Sequence, residues 1–114
     1  MNSLTVDVER VMSKIAYIKA QLSDIEKLIN TKEKKHIIGD PWMIKGLKYS
    51  LQTSIEAMID IIFHICAKHF NQAPVDARNG LEILVENKII DKKYHSLSSI
   101  LIGLRLFLFL RCSY

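Results

Sequence analysis

Four polar side chains recur at every fourth position within an otherwise apolar segment of this chain. They are Gln52, Glu56, Asp60 and His64. Positions four residues apart lie on one face of a helix, so the segment is predicted to carry a single polar stripe. Carboxylates and an imidazole on a central helix are costly to bury unless they have partners. The stripe therefore predicts either a cation packed against it or a polar cleft.

Arg105 is the natural partner for these carboxylates. It interrupts an apolar run from Ile100 to Leu110, in which Gly103 is the only other residue that is not apolar. An unpaired guanidinium buried in such a run would cost roughly 3 kcal/mol or more. We therefore expect Arg105 to reach water or to meet Asp60 or Glu56. Three interpretations stay open: a buried ion pair that fixes helix register, a cleft around a catalytic arginine, and a solvated face.

The histidines and cysteines give little support for metal or cofactor chemistry. Only His64 lies on the stripe, and we interpret it as a hydrogen-bonded core histidine. Cys66 and His69 are three residues apart on one predicted helix, and His36 lies elsewhere. No third or fourth ligand falls at a usual spacing. We predict neither a metal nor a cofactor.

The first part of the chain predicts a long helix that packs lengthwise. Apolar residues recur there at alternating steps of three and four, which is typical of a bundle or a coiled coil. They are Val8, Val11, Ile15, Ile18, Leu22, Ile25 and Ile29. The segment from Lys32 to Ile37 is charged and has no such pattern, and Gly39 follows it, so we predict a loop.

The polar stripe belongs to a second long helix, which begins after Asp40-Pro41. Asp is a favoured N-cap and Pro is favoured at the first helical position. The helix is predicted to run to about Phe70, and it is apolar almost all round, so it should be central. Its predicted inward residues are Leu47, Leu51, Ile55, Met58, Ile59, Ile62, Ile65 and Cys66.

Two further helices complete the predicted fold. A short one spans about Asp76 to Asn87, with Leu81, Leu84 and Val85 facing inward. A last one spans about Lys93 to Leu110. The predicted fold is all-α: a single-domain antiparallel bundle of four helices.

Composition limits the class of protein. The chain has 114 residues, 49% of them apolar, and a net charge of +4, which permits nucleic-acid contact without requiring it. Its two cysteines fit a reducing cytosol, so we expect a cytoplasmic protein. The apolar run from Ile100 to Leu110 is shorter than the about 20 residues of a bilayer span, so no membrane segment is predicted.

Three segments in the right order resemble the HepT-like toxins of the HEPN superfamily. Gly103-Leu104-Arg105 resembles the start of the family's motif helix, which carries Arg, four residues, His, one residue and Tyr. Residues 55–65 look like the family's second helix. Residues 77–91 are similar to its connection before the motif helix. The resemblance covers about residues 7 to 112, and the chain is expected to lack the family's last helix.

The resemblance implies a homodimeric, metal-independent ribonuclease from a type VII-like toxin–antitoxin pair, with a nucleotidyltransferase as antitoxin. Arg105 would bind the RNA phosphate, and Asp60 or Glu56 would orient it. The motif His position is occupied by Leu110, which cannot transfer a proton, and the Tyr position by Cys112. We therefore expect weakened or absent RNA cleavage. The alternative is a non-enzymatic subunit that binds a partner nucleotidyltransferase.

Overall fold

The computed structural model describes residues 6–95 and residue 103, and all its regular secondary structure in that range is helical. The elements are α1 (Val8–Thr31), α2 (Lys34–Gly39), α3 (Pro41–His69) and α4 (Ala77–Glu86), followed by a 3-10 turn at Lys92–Tyr94. The predicted all-α class is confirmed. Within the described residues, no helix is long and apolar enough to cross a bilayer.

Helix α3 is the centre of this arrangement, as its apolar surface predicted. It packs against α1, α2 and α4. Asp40 caps its start, because the side-chain carboxylate accepts hydrogen bonds from the backbone N–H groups of Trp42 and Met43. At its end, Asn71 adopts a left-handed backbone with φ of 50°. That turn brings the N–H of Gln72 to the carbonyl of Cys66 at 2.9 Å, which satisfies a free helix-end carbonyl.

The core lies where α4 crosses the second half of α3. Ile62 and Cys66 from α3 pack with Leu81, Ile83 and Leu84 from α4. Gly80 allows the close approach, because a Cβ at this position would lie 2.7 Å from Cγ2 of Ile62. The predicted inward residues Leu81 and Leu84 are confirmed as buried, and Val85 is half-buried. Ile83, which the sequence analysis did not select, is buried as well.

Helix α1 forms as predicted, but its apolar seam is only partly used. Val11, Ile15, Ile18 and Ile25 are half-buried, whereas Val8, Leu22 and Ile29 are exposed. A straight α-helix drifts by about 20° per heptad relative to a strict seven-residue repeat. Over three heptads the contact line therefore moves away from the seam, and Leu28 is half-buried where Ile29 was expected.

The predicted loop from Lys32 to Ile37 is wrong for most of its length. Residues Lys34–Gly39 form α2, a short helix with Glu33 at its N-cap position. Ile37 is buried, and α2 packs on α3. Lysine and glutamate are good helix formers. One buried isoleucine in six residues gives no periodicity that a sequence analysis could detect.

The predicted last helix falls mostly outside the described residues. Its start at Lys93 lies in the 3-10 turn, and Gly103 is helical. A Cβ on Gly103 would lie 3.0 Å from Nη2 of Arg78, so this residue lies beside α4. Arg105, Leu110 and Cys112 lie outside the described residues.

Candidate functional site

A polar cleft opens between α1 and α3, and it contains both carboxylates that the sequence analysis selected. Glu56 and Asp60 line it from α3, and Lys14 and Tyr17 line it from α1. Ser13, Thr53 and Ala57 complete the lining, and the volume is about 320 Å³. The two carboxylates are one helical turn apart, so both point into the same space.

Asp60 is held by a cation from the neighbouring helix. The Nζ atom of Lys14 donates a hydrogen bond to Oδ2 of Asp60 at 3.1 Å. The two side chains are 37% and 51% exposed, so water screens the pair. Such a pair contributes less than about 1 kcal/mol to stability. Asp60 therefore keeps solvent access, which speaks against a buried ion pair at this residue and leaves the cleft and the solvated face open.

Glu56 is positioned from within α3. Nε2 of Gln52 donates to Oε1 of Glu56 at 3.5 Å, which is a long and weak hydrogen bond. Thr53 cannot add its proton to the cleft, because its hydroxyl donates back to the carbonyl of Tyr49 at 3.0 Å. The cleft is thus lined by two carboxylates, one ammonium group and the Tyr17 phenol.

His64 leaves the stripe and joins the packed interface instead. Four residues advance a helix by slightly more than one turn, or about 40° of extra rotation at each step. By the third step from Gln52 the side chain has turned away from the cleft, and His64 is buried. Its Nε2 accepts a hydrogen bond from the backbone N–H of Asp7 at 2.9 Å. The interpretation of His64 as a hydrogen-bonded core histidine is confirmed.

The sequence analysis missed Lys14 and Tyr17. Lys14 directly precedes Ile15 of the apolar seam, and residues that flank such a seam commonly form ion pairs between helices. That signal was available for Lys14. The position of Tyr17 depends on how α1 rotates on α3, which the seam alone does not define.

Burial raises the pKa of the Cys66 thiol above its ordinary value. The side chain is fully enclosed in the core, and its Sγ atom donates to the carbonyl of Gly80 at 3.5 Å. A buried, protonated thiol is a poor nucleophile and a poor metal ligand. Among the described residues, no three His, Cys, Asp or Glu side chains form a group that could hold a metal ion.

Comparison with known proteins identifies a family that this chain matches. Residues 18–108 match the sequence model of a protein family described as "Ribonuclease HepT-like". No curated protein and no solved structure matches the chain. The matched range includes α2, α3, α4 and most of α1.

Proposed function

The chain belongs to the HepT-like ribonuclease family, and we propose that it is the toxin-type member of a prokaryotic type VII-like toxin–antitoxin pair. In this proposal its ribonuclease activity is weakened or lost. The observation that carries the proposal is the family match over residues 18–108. The weakened or lost activity rests on the resemblance of Gly103-Leu104-Arg105 to the family's motif helix, which would put Leu110 at the motif histidine position. The partner would be a nucleotidyltransferase antitoxin, and both proteins would be cytoplasmic.

In the proposed site, Arg105 binds the RNA phosphate, and Asp60 or Glu56 orients the guanidinium. An arginine can hold a phosphate through two parallel hydrogen bonds. The cleft supports this assignment, because it brings both carboxylates to one solvent-open space. Lys14 already pairs with Asp60 there, so Arg105 would join or replace that ammonium group.

The proposed site lacks an evident group for the proton transfers of RNA cleavage. Metal-independent RNA cleavage needs a base that takes the 2′-OH proton and an acid that protonates the departing 5′ oxygen. Leu110 has no titratable group. His64, the nearest histidine to the cleft carboxylates along α3, already accepts the Asp7 N–H with Nε2. We therefore expect slow cleavage at best.

We also propose that the chain forms an antiparallel four-helix bundle and a homodimer. The start of α1 lies against α3 near Asp60 and His64. The end of α1 lies beside the start of α3, where Ile29 and Ile44 line one pocket. Val8, Met12, Leu22 and Ile29 of α1 are exposed. Exposed apolar surface of this kind often marks an interface.

The alternative function is a non-enzymatic subunit that binds the nucleotidyltransferase. By the resemblance, Leu110 takes the place of the motif histidine and Cys112 that of the motif tyrosine. Leucine cannot transfer a proton and cysteine has no phenol for nucleotide transfer, which favours this alternative.

Incubating the purified chain with total RNA in EDTA separates the two functions. Slow cleavage that disappears in Arg105→Ala supports the weakened ribonuclease. No cleavage by either protein, combined with a stable complex with a HepT-type nucleotidyltransferase antitoxin, supports the alternative. Rapid cleavage that Arg105→Ala leaves intact contradicts the assigned site.

A further inference from the structure

An exposed face with aromatic and basic side chains runs along the first half of α3. Trp42 is 77% exposed and Tyr49 is 66% exposed, although both are large apolar side chains. They are seven residues apart, which places them on the same side of the helix, about 10 Å apart along its axis. Lys45 lies between them, with its Nζ atom 4.8 Å from the centre of the Trp42 ring. We call Trp42, Lys45, Gly46 and Tyr49 the aromatic–basic face.

Gly46 leaves the space between the two rings open. It lies one turn after Trp42 on the same side of the helix, and a Cβ there would meet no atom within 4 Å. A larger residue at this position would stand between the rings and shield them. The face therefore combines two uncovered rings with a gap between them.

The surrounding charge is positive. Residues 32–48 contain five lysines and only two acidic residues, Glu33 and Asp40. Both acids are already engaged: Glu33 pairs with Lys35 at 3.7 Å, and Asp40 caps α3. The following residues 49–95 contain six acidic and five basic residues, so the net positive charge lies in residues 32–48 rather than after them.

The face continues into the candidate cleft. Thr53 lies one turn after Tyr49, and it lines the cleft together with Glu56 and Asp60. Asp60 is eighteen residues after Trp42. Eighteen residues make five helical turns, so the two side chains project from the same side of α3, about 27 Å apart along the axis. A linear ligand that lay on the aromatic–basic face would enter the cleft.

We propose that the aromatic–basic face is a docking track for single-stranded RNA, with bases stacked on Trp42 and Tyr49 and a phosphate bound by Lys45. The inference rests on the proposed function, because it assigns the place where the RNA of that function binds. Stacking platforms flanked by lysines are the usual means of binding a single strand without sequence preference. A duplex hides its base faces, so this face selects for single strands.

The test measures binding without cleavage. The probe is a mixed-sequence 2′-O-methyl RNA 12-mer, which lacks the 2′-OH nucleophile and cannot be cut. Trp42 is the only tryptophan in the chain, so tryptophan fluorescence reports on this face alone. We expect the oligonucleotide to quench the fluorescence, and we expect the affinity to fall as salt rises.

Variants are compared by anisotropy of a labelled oligonucleotide. Trp42→Ala and Tyr49→Ala should each weaken binding by about tenfold to a hundredfold. Lys45→Gln should reduce the slope of log affinity against log salt by about 0.7. Tyr94→Ala is the matched control and should bind normally. Tyr94 is 50% exposed and has the Lys93 ammonium 5.1 Å from its ring, but it lies in the 3-10 turn.

Four results would overturn the proposal: no quenching, equal loss of affinity in Tyr94→Ala, equal binding of duplex RNA, or equal quenching by polyglutamate. The last would point to an acidic protein partner. A fifth contrary result would come from light scattering. If Trp42→Ala converted a dimer to a monomer, the aromatic–basic face would be an interface between two copies of the chain. Binding without cleavage of natural RNA leaves the docking track intact and supports lost rather than weakened ribonuclease activity. Cleavage of natural RNA without binding at this face overturns the docking track and leaves the ribonuclease activity standing.

Discussion

The backbone N–H of Asp7 donates a hydrogen bond to Nε2 of His64 at 2.9 Å, which joins the start of α1 to the buried side of α3. Asp7 is also the N-cap of α1, since its carboxylate accepts from the N–H of Arg10 at 3.0 Å. An imidazole that accepts through Nε2 carries its proton on Nδ1. The Nε2 atom of His64 is thus occupied by a hydrogen bond that holds the start of α1 against α3, and His64 takes no part in the chemistry of the cleft.

Replacing His64 by phenylalanine should destabilise the protein by about 1–3 kcal/mol, because an aromatic ring is kept but the Asp7 N–H loses its acceptor. Urea unfolding measures the change. His69→Phe is the control, since His69 is exposed at the end of α3, and its stability should stay within about 0.5 kcal/mol of wild type. Equal urea midpoints for His64→Phe and wild type would show that the hydrogen bond contributes nothing.

Two glycines should respond to alanine in opposite directions. Gly46 is exposed in the interior of α3 with open space at its Cβ position, so Gly46→Ala should stabilise the protein by about 0.5–1 kcal/mol. At Gly80 the new Cβ would lie 2.7 Å from Cγ2 of Ile62, so Gly80→Ala should destabilise it by about 1–3 kcal/mol. Thermal unfolding of both variants checks the prediction, and a shift of the same sign in both would contradict it.

The Cys66 thiol should make stability fall at alkaline pH. Burial raises its pKa above the ordinary value of 9.0, so the thiol of the unfolded chain ionises first as pH rises. The stability from the protonated thiol is present below pH 9.0 and is lost as pH rises through the folded pKa. Cys66→Ala lacks this titration and should be about 1–2 kcal/mol less stable near neutral pH because of its cavity.

Urea unfolding of wild type and Cys66→Ala between neutral and alkaline pH measures this effect. The stability advantage of wild type should narrow as pH rises. If the difference in unfolding free energy between the two proteins stayed constant across that pH range, the titration of Cys66 would not explain the loss of stability at alkaline pH.

The protein should be a homodimer in solution. Val8, Met12, Leu22 and Ile29 leave apolar surface exposed along α1, and burial of such surface favours association. Light scattering across a range of concentrations should give twice the 13.1 kDa of one chain. A single-chain mass at every concentration would exclude the dimer.

Local signals in the sequence were sufficient to predict much of the fold. Asp40-Pro41 marks the start of α3 because the cap and the first helical turn are formed by neighbouring residues. The end near Phe70 and the inward face of α4 followed from similar local patterns. Helix α2 could not be predicted in this way, because its one buried residue, Ile37, owes its burial to α3.

The candidate site shows the same division between local and tertiary information. The four-residue spacing correctly placed Glu56 and Asp60 on one side of α3, since it depends on helix geometry alone. It did not show that Lys14 reaches Asp60, because that contact depends on how α1 and α3 slide and rotate against each other. The pairing of Arg105 with either carboxylate stays a prediction.

We propose that Leu110 stands where a HepT-like ribonuclease has its catalytic histidine, and single-turnover cleavage of total RNA tests this proposal. Wild type is compared with Leu110→His and with Leu110→His combined with Arg105→Ala. A positioned proton carrier typically contributes about 10²–10⁴-fold, so Leu110→His should cleave faster than wild type by an appreciable part of that factor. The double variant, which lacks the phosphate-binding arginine, should fall to the wild-type level or below it. Wild type that cuts RNA as fast as Leu110→His would contradict the claim.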